Sequence, residues 1–188
     1  MNTTIDTVRR IRHSRAPQLE LDSQALAAAR QQVGRGAVTP SALAWREDIV
    51  ALLNEALATE LVCVLRYKRH HFTAHGLASP QVAAEFMKHA LEESGHADRL
   101  AQRIVQLGGE PDFSPDGLLS RSHADYDAST DLDAMILANL VAERVAVEAY
   151  RQMVALVGDK DPTTRRMLED ILRDEEEHAD ELAGLLHD

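Results

Sequence analysis

Two copies of the motif Glu-x-x-His are the residues in this sequence whose types and spacing suit shared chemistry. Glu93 precedes His96 and Glu175 precedes His178, and in both places the histidine is followed by Ala-Asp. Residues three apart on an α-helix share a face, so each motif directs a carboxylate and an imidazole to the same side. One such pair is common on the solvated face of a glutamate-rich helix. The repetition is therefore what favours a metal site.

Each motif is preceded by a further glutamate and a tyrosine at matched spacings. The two glutamates are 33 residues apart in the first half and 32 in the second, and each tyrosine follows the first glutamate by seven residues. The set is Glu60, Tyr67, Glu93 and His96, then Glu143, Tyr150, Glu175 and His178. The pattern predicts a duplicated helical hairpin whose two halves carry the same polar residues.

Two facing hairpins would gather four carboxylates and two imidazoles in one volume. Buried carboxylates repel one another and take up protons unless cations neutralise them, and two divalent ions supply the matching charge. Oxygen and imidazole ligands without thiolate favour iron or manganese over structural zinc. A glutamate from each of two helices plus Glu-x-x-His from the other two is the di-iron or di-manganese carboxylate pattern. The predicted metal-binding and catalytic residues are Glu60, Glu93, His96, Glu143, Glu175 and His178.

Neighbouring polar residues receive plainer interpretations. Tyr67, counted with the catalytic residues, and Tyr150 have the length to hydrogen-bond ligand carboxylates. Cys63 is interpreted as a small core residue. Three histidines are interpreted as favouring a helix C-terminus rather than binding metal, namely His70, His71 and His75. Four glutamates are expected to face solvent, namely Glu92, Glu169, Glu176 and Glu177.

Four long helices are predicted to position these groups. Apolar residues recur at helical spacing, and the segments begin or end at Pro, Asp or Gly. The predicted spans are 46–75, 80–108, 131–157 and 162 to the C-terminus. Residues 109–130 are rich in Pro, Gly and Asp, and are long enough to cross a bundle from end to end. The fold class is therefore all-α, a four-helix bundle with a long crossover between helices two and three, which run parallel.

The N-terminal segment differs from the rest in charge. Residues 1–46 carry seven Arg against Asp6, Glu20 and Asp22, and the whole chain has a formal net charge of -11, so the remainder is strongly acidic. We interpret residues 1–45 as a basic arm with a short helix over 22–33, and residues 46–188 as the bundle domain. Two readings of the arm stay open, a solvated tail and a DNA contact through the phosphate-binding arginines Arg9, Arg10, Arg12 and Arg15.

Composition agrees with a helical domain and indicates its compartment. Hydrophobic residues make up 45% and aromatic residues only 4%, while good helix formers are plentiful. The single Cys63 excludes an intramolecular disulfide and fits a reducing compartment. No apolar run approaches the ~18 residues of a membrane span, and the N-terminus has no signal-peptide apolar region. We expect a cytoplasmic protein without membrane partners.

From about Trp45 to Leu186 the chain resembles the ferritin-like superfamily, and within it the bacterioferritin branch. The resemblance is carried by Asn54-Glu55-x-Leu57-Ala58-Thr59-Glu60-Leu61-Val62 with Tyr67, Glu93-x-x-His96-Ala97-Asp98-Arg99, and Ile171-Leu172-Arg173-Asp174-Glu175-Glu176-x-His178. It implies two iron ions per subunit, with manganese as the alternative metal. The implied terminal ligands are Glu60 and His96 for one ion and Glu143 and His178 for the other. Glu93 and Glu175 are the implied bridges.

Three departures from the bacterioferritin pattern bear on cofactor and assembly. Ser94 stands where bacterioferritins carry a haem-ligating Met, so no haem of that type is expected. The chain ends ten residues after His178, which leaves no sequence for the fifth helix of 24-subunit shells. The basic arm of residues 1–45 is an addition to the bacterioferritin pattern. In these last two features the chain resembles Dps-like proteins, and they favour a homo-oligomeric cage of twelve subunits. The usual Dps site, however, lies between subunits.

The sequence therefore predicts a ferroxidase that oxidises Fe(II) to Fe(III) with O2 or H2O2, and stores or detoxifies iron in a protein cage. One alternative is a di-iron or di-manganese enzyme that removes peroxide and stores nothing. Another is a Dps-like protein that protects DNA through the basic arm.

Overall fold

The computed structural model describes residues 20–76 and 79–186, and within these ranges the chain forms helices and no strand. The α-helices, in chain order, are α1 Ser23–Ala28, α2 Pro40–Leu43, α3 Arg46–Thr73, α4 Ser79–Gln106, α5 Leu118–Arg121, α6 Leu132–Val157 and α7 Pro162–Leu185. Short 3-10 turns cover Val33–Arg35 and Gly158–Lys160. The four long helices α3, α4, α6 and α7 form the predicted all-α bundle.

Side-chain caps explain where two of the long helices begin. Asp131 accepts a hydrogen bond from the backbone N–H of Ala134 at 3.0 Å, which fixes the start of α6. Asp161 accepts one from Thr164 N–H at 3.1 Å, and Pro162 occupies the first turn of α7. Such caps satisfy donors that lack an intrahelical partner. These starts agree with the prediction, whereas α3 ends two residues earlier than predicted because Ala74 has an extended backbone with ψ of 133°.

The crossover between α4 and α6 lies along α3 and is tied to it by hydrogen bonds. Asn54 accepts from Asp112 N–H at 2.8 Å, Thr59 Oγ1 from His123 N–H at 3.0 Å, and Arg69 donates to the Ser129 carbonyl at 2.7 Å. Crossover and α3 thus advance in the same direction. Since α3 and α4 form an antiparallel hairpin, α4 and α6 both begin at the same end of the bundle. The predicted long crossover and parallel second and third helices are confirmed.

The short N-terminal helix is briefer than predicted. Asp22 caps α1 as expected, accepting from Gln24 N–H at 2.8 Å and Ala25 N–H at 3.1 Å. The helix nevertheless stops at Ala28 rather than Val33, and Gln32 adopts a left-handed backbone with φ of 56°. Arg9, Arg10, Arg12 and Arg15, on which the DNA interpretation rests, lie outside the described residues.

Two apolar clusters fill the bundle on either side of its middle. One combines the N-terminal half of α3 with the C-terminal half of α4 and includes Leu53, Leu57, Leu100, Ile104 and Ile171. The other joins the opposite ends and includes Cys63, Phe86, Met135 and Leu182. The buried position of Cys63 confirms its interpretation as a core residue. The glutamates and histidines of the repeated pattern lie between these clusters, while Tyr150 belongs to the first and Tyr67 to the second. No described helix is long and apolar enough to cross a membrane.

Candidate metal centre

The four long helices each bring one glutamate to the middle of the bundle, and α4 and α7 each add a histidine. All six side chains belong to residues that are no more than 4% exposed: Glu60, Glu93, His96, Glu143, Glu175 and His178. The donor atoms fall into two overlapping groups, each with all members within 4.8 Å of one another. The structure thus assembles the complete set that the duplicated spacing singled out.

Two histidine nitrogens define the two groups. His96 Nδ1 lies 3.0 Å from Glu175 Oε1, 3.2 Å from Glu93 Oε2 and 3.6 Å from Glu60 Oε2. His178 Nδ1 lies 3.5 Å from Glu93 Oε1, 3.6 Å from Glu175 Oε2 and 4.0 Å from Glu143 Oε2. Each nitrogen therefore faces three carboxylates, one of which belongs to its group alone.

Glu93 and Glu175 are shared between the groups in a specific way. Each turns one carboxylate oxygen toward His96 and the other toward His178. A carboxylate placed so can bind two cations at once, one through each oxygen. Glu60 and Glu143 each face a single histidine, so the arrangement offers two equivalent positions of one imidazole and three carboxylates.

Several of these donor atoms have no hydrogen-bond partner, which leaves their lone pairs available to cations. Within the described part of the chain, no well-aligned hydrogen bond reaches Glu93 Oε1, Glu143 Oε2, either oxygen of Glu175, or His178 Nδ1. Buried polar atoms are seldom left without a partner, because each forfeits its hydration. Four carboxylates and two neutral imidazoles match two divalent ions in charge and in ligand type, and a bound ion would use all of these lone pairs.

Two tyrosines tie the halves of the cluster together. Tyr67, on the helix of Glu60, donates from its buried hydroxyl to Glu143 Oε1. Tyr150, on the helix of Glu143, donates to Glu60 Oε1. Each tyrosine thus orients the glutamate of the opposite half by holding its Oε1. The other oxygen of that glutamate, Oε2, faces a histidine. The predicted contacts to ligand carboxylates are present in both places.

Without metal, the cluster holds protons. Burial, reinforced by the charge of Glu93, raises the pKa of Glu60 to about 8, and burial also raises the pKa of Glu143 well above its usual value. Burial alone would lower the pKa of His178, but the nearby carboxylates of Glu175 and Glu93 raise it to about 11. For Glu93, burial opposes ionisation, but the nearby rings of His178 and His96 outweigh it and lower the pKa. Protons therefore occupy positions that cations would take.

Two acidic residues that the spacing did not identify hold the outer edges of the histidines. Glu92 is exposed, as expected, and its Oε2 also lies 2.9 Å from His178 Nε2. Asp174 Oδ2 lies 3.3 Å from His96 Nε2. These contacts fix each ring so that Nδ1 points inward. The available signal was an acidic residue directly before each motif glutamate, and it is indistinguishable from ordinary surface acidity.

Three further histidines lie in different surroundings. His70 is fully buried, with Nδ1 3.0 Å from Asn139 Nδ2 and Nε2 3.2 Å from Asp127 Oδ1, so its role exceeds that of a helix-terminal charge. His71 Nδ1 lies 2.6 Å from the Ala83 carbonyl. His89, which the spacing also missed, is buried against the centre. Of the glutamates expected in solvent, Glu169 and Glu177 are exposed and Glu176 is partly buried, paired with Arg151.

Comparison with known proteins agrees with this geometry. The chain is 29% identical over 141 residues to a bacterioferritin from Desulfovibrio desulfuricans, covering 71% of this chain and 73% of that one. It is 32% identical over 139 residues to a nutrient stress-induced DNA-binding protein from a Synechococcus species, covering 71% and 78%. A dodecameric thioferritin, the bacterioferritin-related protein from Bacteroides fragilis, superposes with a TM-score of 0.73 at 30% identity over 76% of this chain and 86% of its own. Residues 50–188 match the sequence pattern of the ferritin-like domain. The chain belongs to the ferritin-like domain family.

Proposed function

We propose that the protein is a ferroxidase, which oxidises Fe(II) to Fe(III) at a dinuclear centre contained within one subunit. The observation that carries this proposal is the sharing of Glu93 and Glu175, each of which turns one oxygen to each histidine. Two Fe(II) ions bound there would have Glu60 and His96, or Glu143 and His178, as their individual ligands.

The reaction requires two electrons, and the two ions supply one each. O2 accepts the pair with two protons to give H2O2, or H2O2 accepts the pair with two protons to give two waters. Carboxylates are hard oxygen ligands, and their negative charge stabilises Fe(III) more than Fe(II) in a buried site. The bundle contributes fixed ligand positions and restricted solvent access.

We further propose that subunits assemble into a closed shell of twelve in which the ferric product is stored. The support is the dodecameric assembly of the Bacteroides fragilis relative, which superposes on three quarters of this chain. A protein that oxidises iron without storing it would instead elute as a monomer or dimer. Particle mass measured by light scattering discriminates the two, and a mass near twelve chains with retained iron supports storage.

Rapid-mixing oxidation tests the site assignment. Anaerobic protein is loaded with Fe(II) and mixed with O2 or H2O2 while ferric absorbance is recorded. The fast phase is expected to saturate at two irons per chain, and Glu93→Ala and Glu175→Ala are each expected to abolish it. Glu169→Ala, an exposed carboxylate on α7, is the matched control and should oxidise iron normally. Rates equal to the control in both ligand variants would overturn the assignment.

A second candidate function is DNA binding by the arm. It is favoured by the Synechococcus relative, whose name describes a DNA-binding protein, together with the arginine-rich N-terminal segment. Contacts to phosphates predict a mobility shift that weakens steeply with salt. Deleting residues 1–16 should remove the shift and leave iron oxidation unchanged, whereas a shift that survives the deletion would exclude the arm as the binding element.

A further inference from the structure

A second group of metal-type ligands lies outside the dinuclear centre. It joins Glu85 and His89 on α4 to Glu181 on α7, with one ligand atom from each within 4.8 Å of the others. His89 is fully buried, whereas the two carboxylates reach the surface. The ring of His89 stacks on that of His178 with centroids 4.2 Å apart, so the group lies directly beside the centre without sharing its carboxylates.

The two ring nitrogens of His89 face different partners. Nδ1 lies 3.0 Å from the Tyr67 hydroxyl, so the contact with Tyr67 fixes the orientation of the ring. Nε2 lies 2.7 Å from Glu181 Oε2, on the side of the ring that faces the two carboxylates. A metal ion bound there would replace the proton that these two atoms share.

Glu85 contributes an atom that the fold leaves without a partner. Its Oε2 is buried and accepts no hydrogen bond within the described ranges. Buried polar atoms are seldom left so, because each forfeits its hydration. An imidazole and two carboxylates are a typical ligand set for a divalent transition metal.

Lys88 supplies the positive charge at this position in the structure. Its Nζ lies 2.7 and 2.9 Å from the two oxygens of Glu181 and 3.9 Å from Glu85 Oε2. The side chain is 43% exposed, and its flexible stem can withdraw into solvent. A more strongly bound cation could therefore take the place of the ammonium.

We propose that Glu85, His89 and Glu181 form a mononuclear site for a divalent first-row transition metal, with Lys88 as its built-in competitor. The imidazole favours ions such as Zn(II), Fe(II) or Mn(II) over Mg(II) and Ca(II), which prefer oxygen ligands alone. The site is separate from the proposed ferroxidase centre and does not depend on iron oxidation.

Calorimetric titration of the full-length protein with Zn(II) tests the proposal, because Zn(II) has no redox chemistry. Glu181→Gln is expected to bind one ion per chain fewer than Asp180→Asn, which removes the same charge from the adjacent exposed position. Glu85→Gln, on the other helix, should weaken the same binding event. Lys88→Met should tighten it about tenfold, because a like charge is removed from beside the ion.

The same titration in a Glu93→Ala/Glu175→Ala background separates this site from the dinuclear centre. One Zn(II) per chain is expected to remain there and to be lost on adding Glu181→Gln. Failure of iron oxidation in the wild type would overturn the ferroxidase and leave this difference intact. Equal stoichiometry and affinity for Glu181→Gln and Asp180→Asn, or no tightening in Lys88→Met, would overturn the mononuclear site.

Discussion

Hydrogen bonds from outside the ligand set decide where the donor atoms of the cluster point. Tyr67 and Tyr150 each hold one oxygen of a glutamate from the opposite half, and Glu92 and Asp174 hold the outer nitrogens of the histidines. A carboxylate anchored through one oxygen presents the other in a fixed direction. Such outer contacts typically contribute 10–100-fold to metal affinity or activity.

The Tyr67→Phe variant tests this orienting role. The hydroxyl that fixes Glu143 is lost while the ring still fills its buried position, so fast Fe(II) oxidation should slow by about tenfold with the fold unchanged. Stopped-flow absorbance at matched iron loading measures the rate. Tyr126→Phe removes a hydroxyl from a residue that is 43% exposed, and should oxidise iron at the normal rate. A normal rate in Tyr67→Phe would show that Glu143 needs no such anchor.

The positions of the six cluster residues were predictable because helical periodicity fixes which residues share a face. The matched spacing of Glu60 to Glu93 and of Glu143 to Glu175 required only that each hairpin be regular. The contacts of Glu92 and His89 were not predictable. They depend on which residue of a neighbouring helix lies opposite, and this is set by packing between α4 and α7 rather than by local sequence.

At the scale of elements, a buried arginine fastens the crossover to the bundle. Arg66 on α3 is fully buried, and donates from Nε to Asn139 Oδ1 on α6 at 2.8 Å and from Nη1 to the Asp125 carbonyl at 3.0 Å. Asn139 Nδ2 also lies 3.0 Å from His70 Nδ1. One polar network thus connects α3, α6 and the crossover next to the cluster.

Replacing Asn139 by Ala is expected to destabilise the protein by about 2–4 kcal/mol, because the buried guanidinium loses an acceptor that the apolar surroundings cannot replace. Guanidinium-chloride unfolding of the metal-free protein measures the loss. Gln152→Ala, at an exposed position of the same helix, is the control and should change stability by less than about 0.5 kcal/mol. If Asn139→Ala lost no more stability than Gln152→Ala, the Arg66 guanidinium would not need Asn139 as a hydrogen-bond acceptor.

The sequence predicted the starts of α6 and α7 and the end of α3 to within two residues. Asp131, Asp161 and Pro162 provide local start signals for α6 and α7. For the crossover, only the length could be predicted from the sequence. Its path and the short helix Leu118–Arg121 depend on bonds to residues far along the chain, such as Asn54 with Asp112 and Thr59 with His123. No local pattern encodes such long-range partners.

For the molecule as a whole, we expect the cluster to make stability depend on both pH and metal. In the metal-free folded state Glu60 is mostly protonated at pH 7 and loses its proton as the pH passes its pKa of about 8, whereas His178, with a pKa of about 11, stays protonated up to pH 8.5. The unfolded chain has already released both protons, at pKa values of 4.5 and 6.5. The folded state therefore binds more protons, and its stability falls as pH rises, by up to about 1.4 kcal/mol per pH unit for each group.

Calorimetry of the metal-stripped protein should accordingly give a lower Tm at pH 8.5 than at pH 7. Added Mn(II) displaces these protons, so the rise in Tm that it causes should be larger at pH 8.5. A Glu93→Ala/Glu175→Ala variant should show a much smaller metal effect at both values. A Tm that increases with pH in the metal-free protein would contradict the proton-holding cluster.

Anomalous scattering at the iron edge, from crystals loaded anaerobically with Fe(II), tests the dinuclear centre most directly. We predict two peaks within the cluster of each chain, about 3.5–4 Å apart. One peak should lie beside Glu60 and His96 and the other beside Glu143 and His178, with Glu93 and Glu175 between them. A single peak in the cluster, or iron bound only elsewhere on the chain, would contradict the central conclusion.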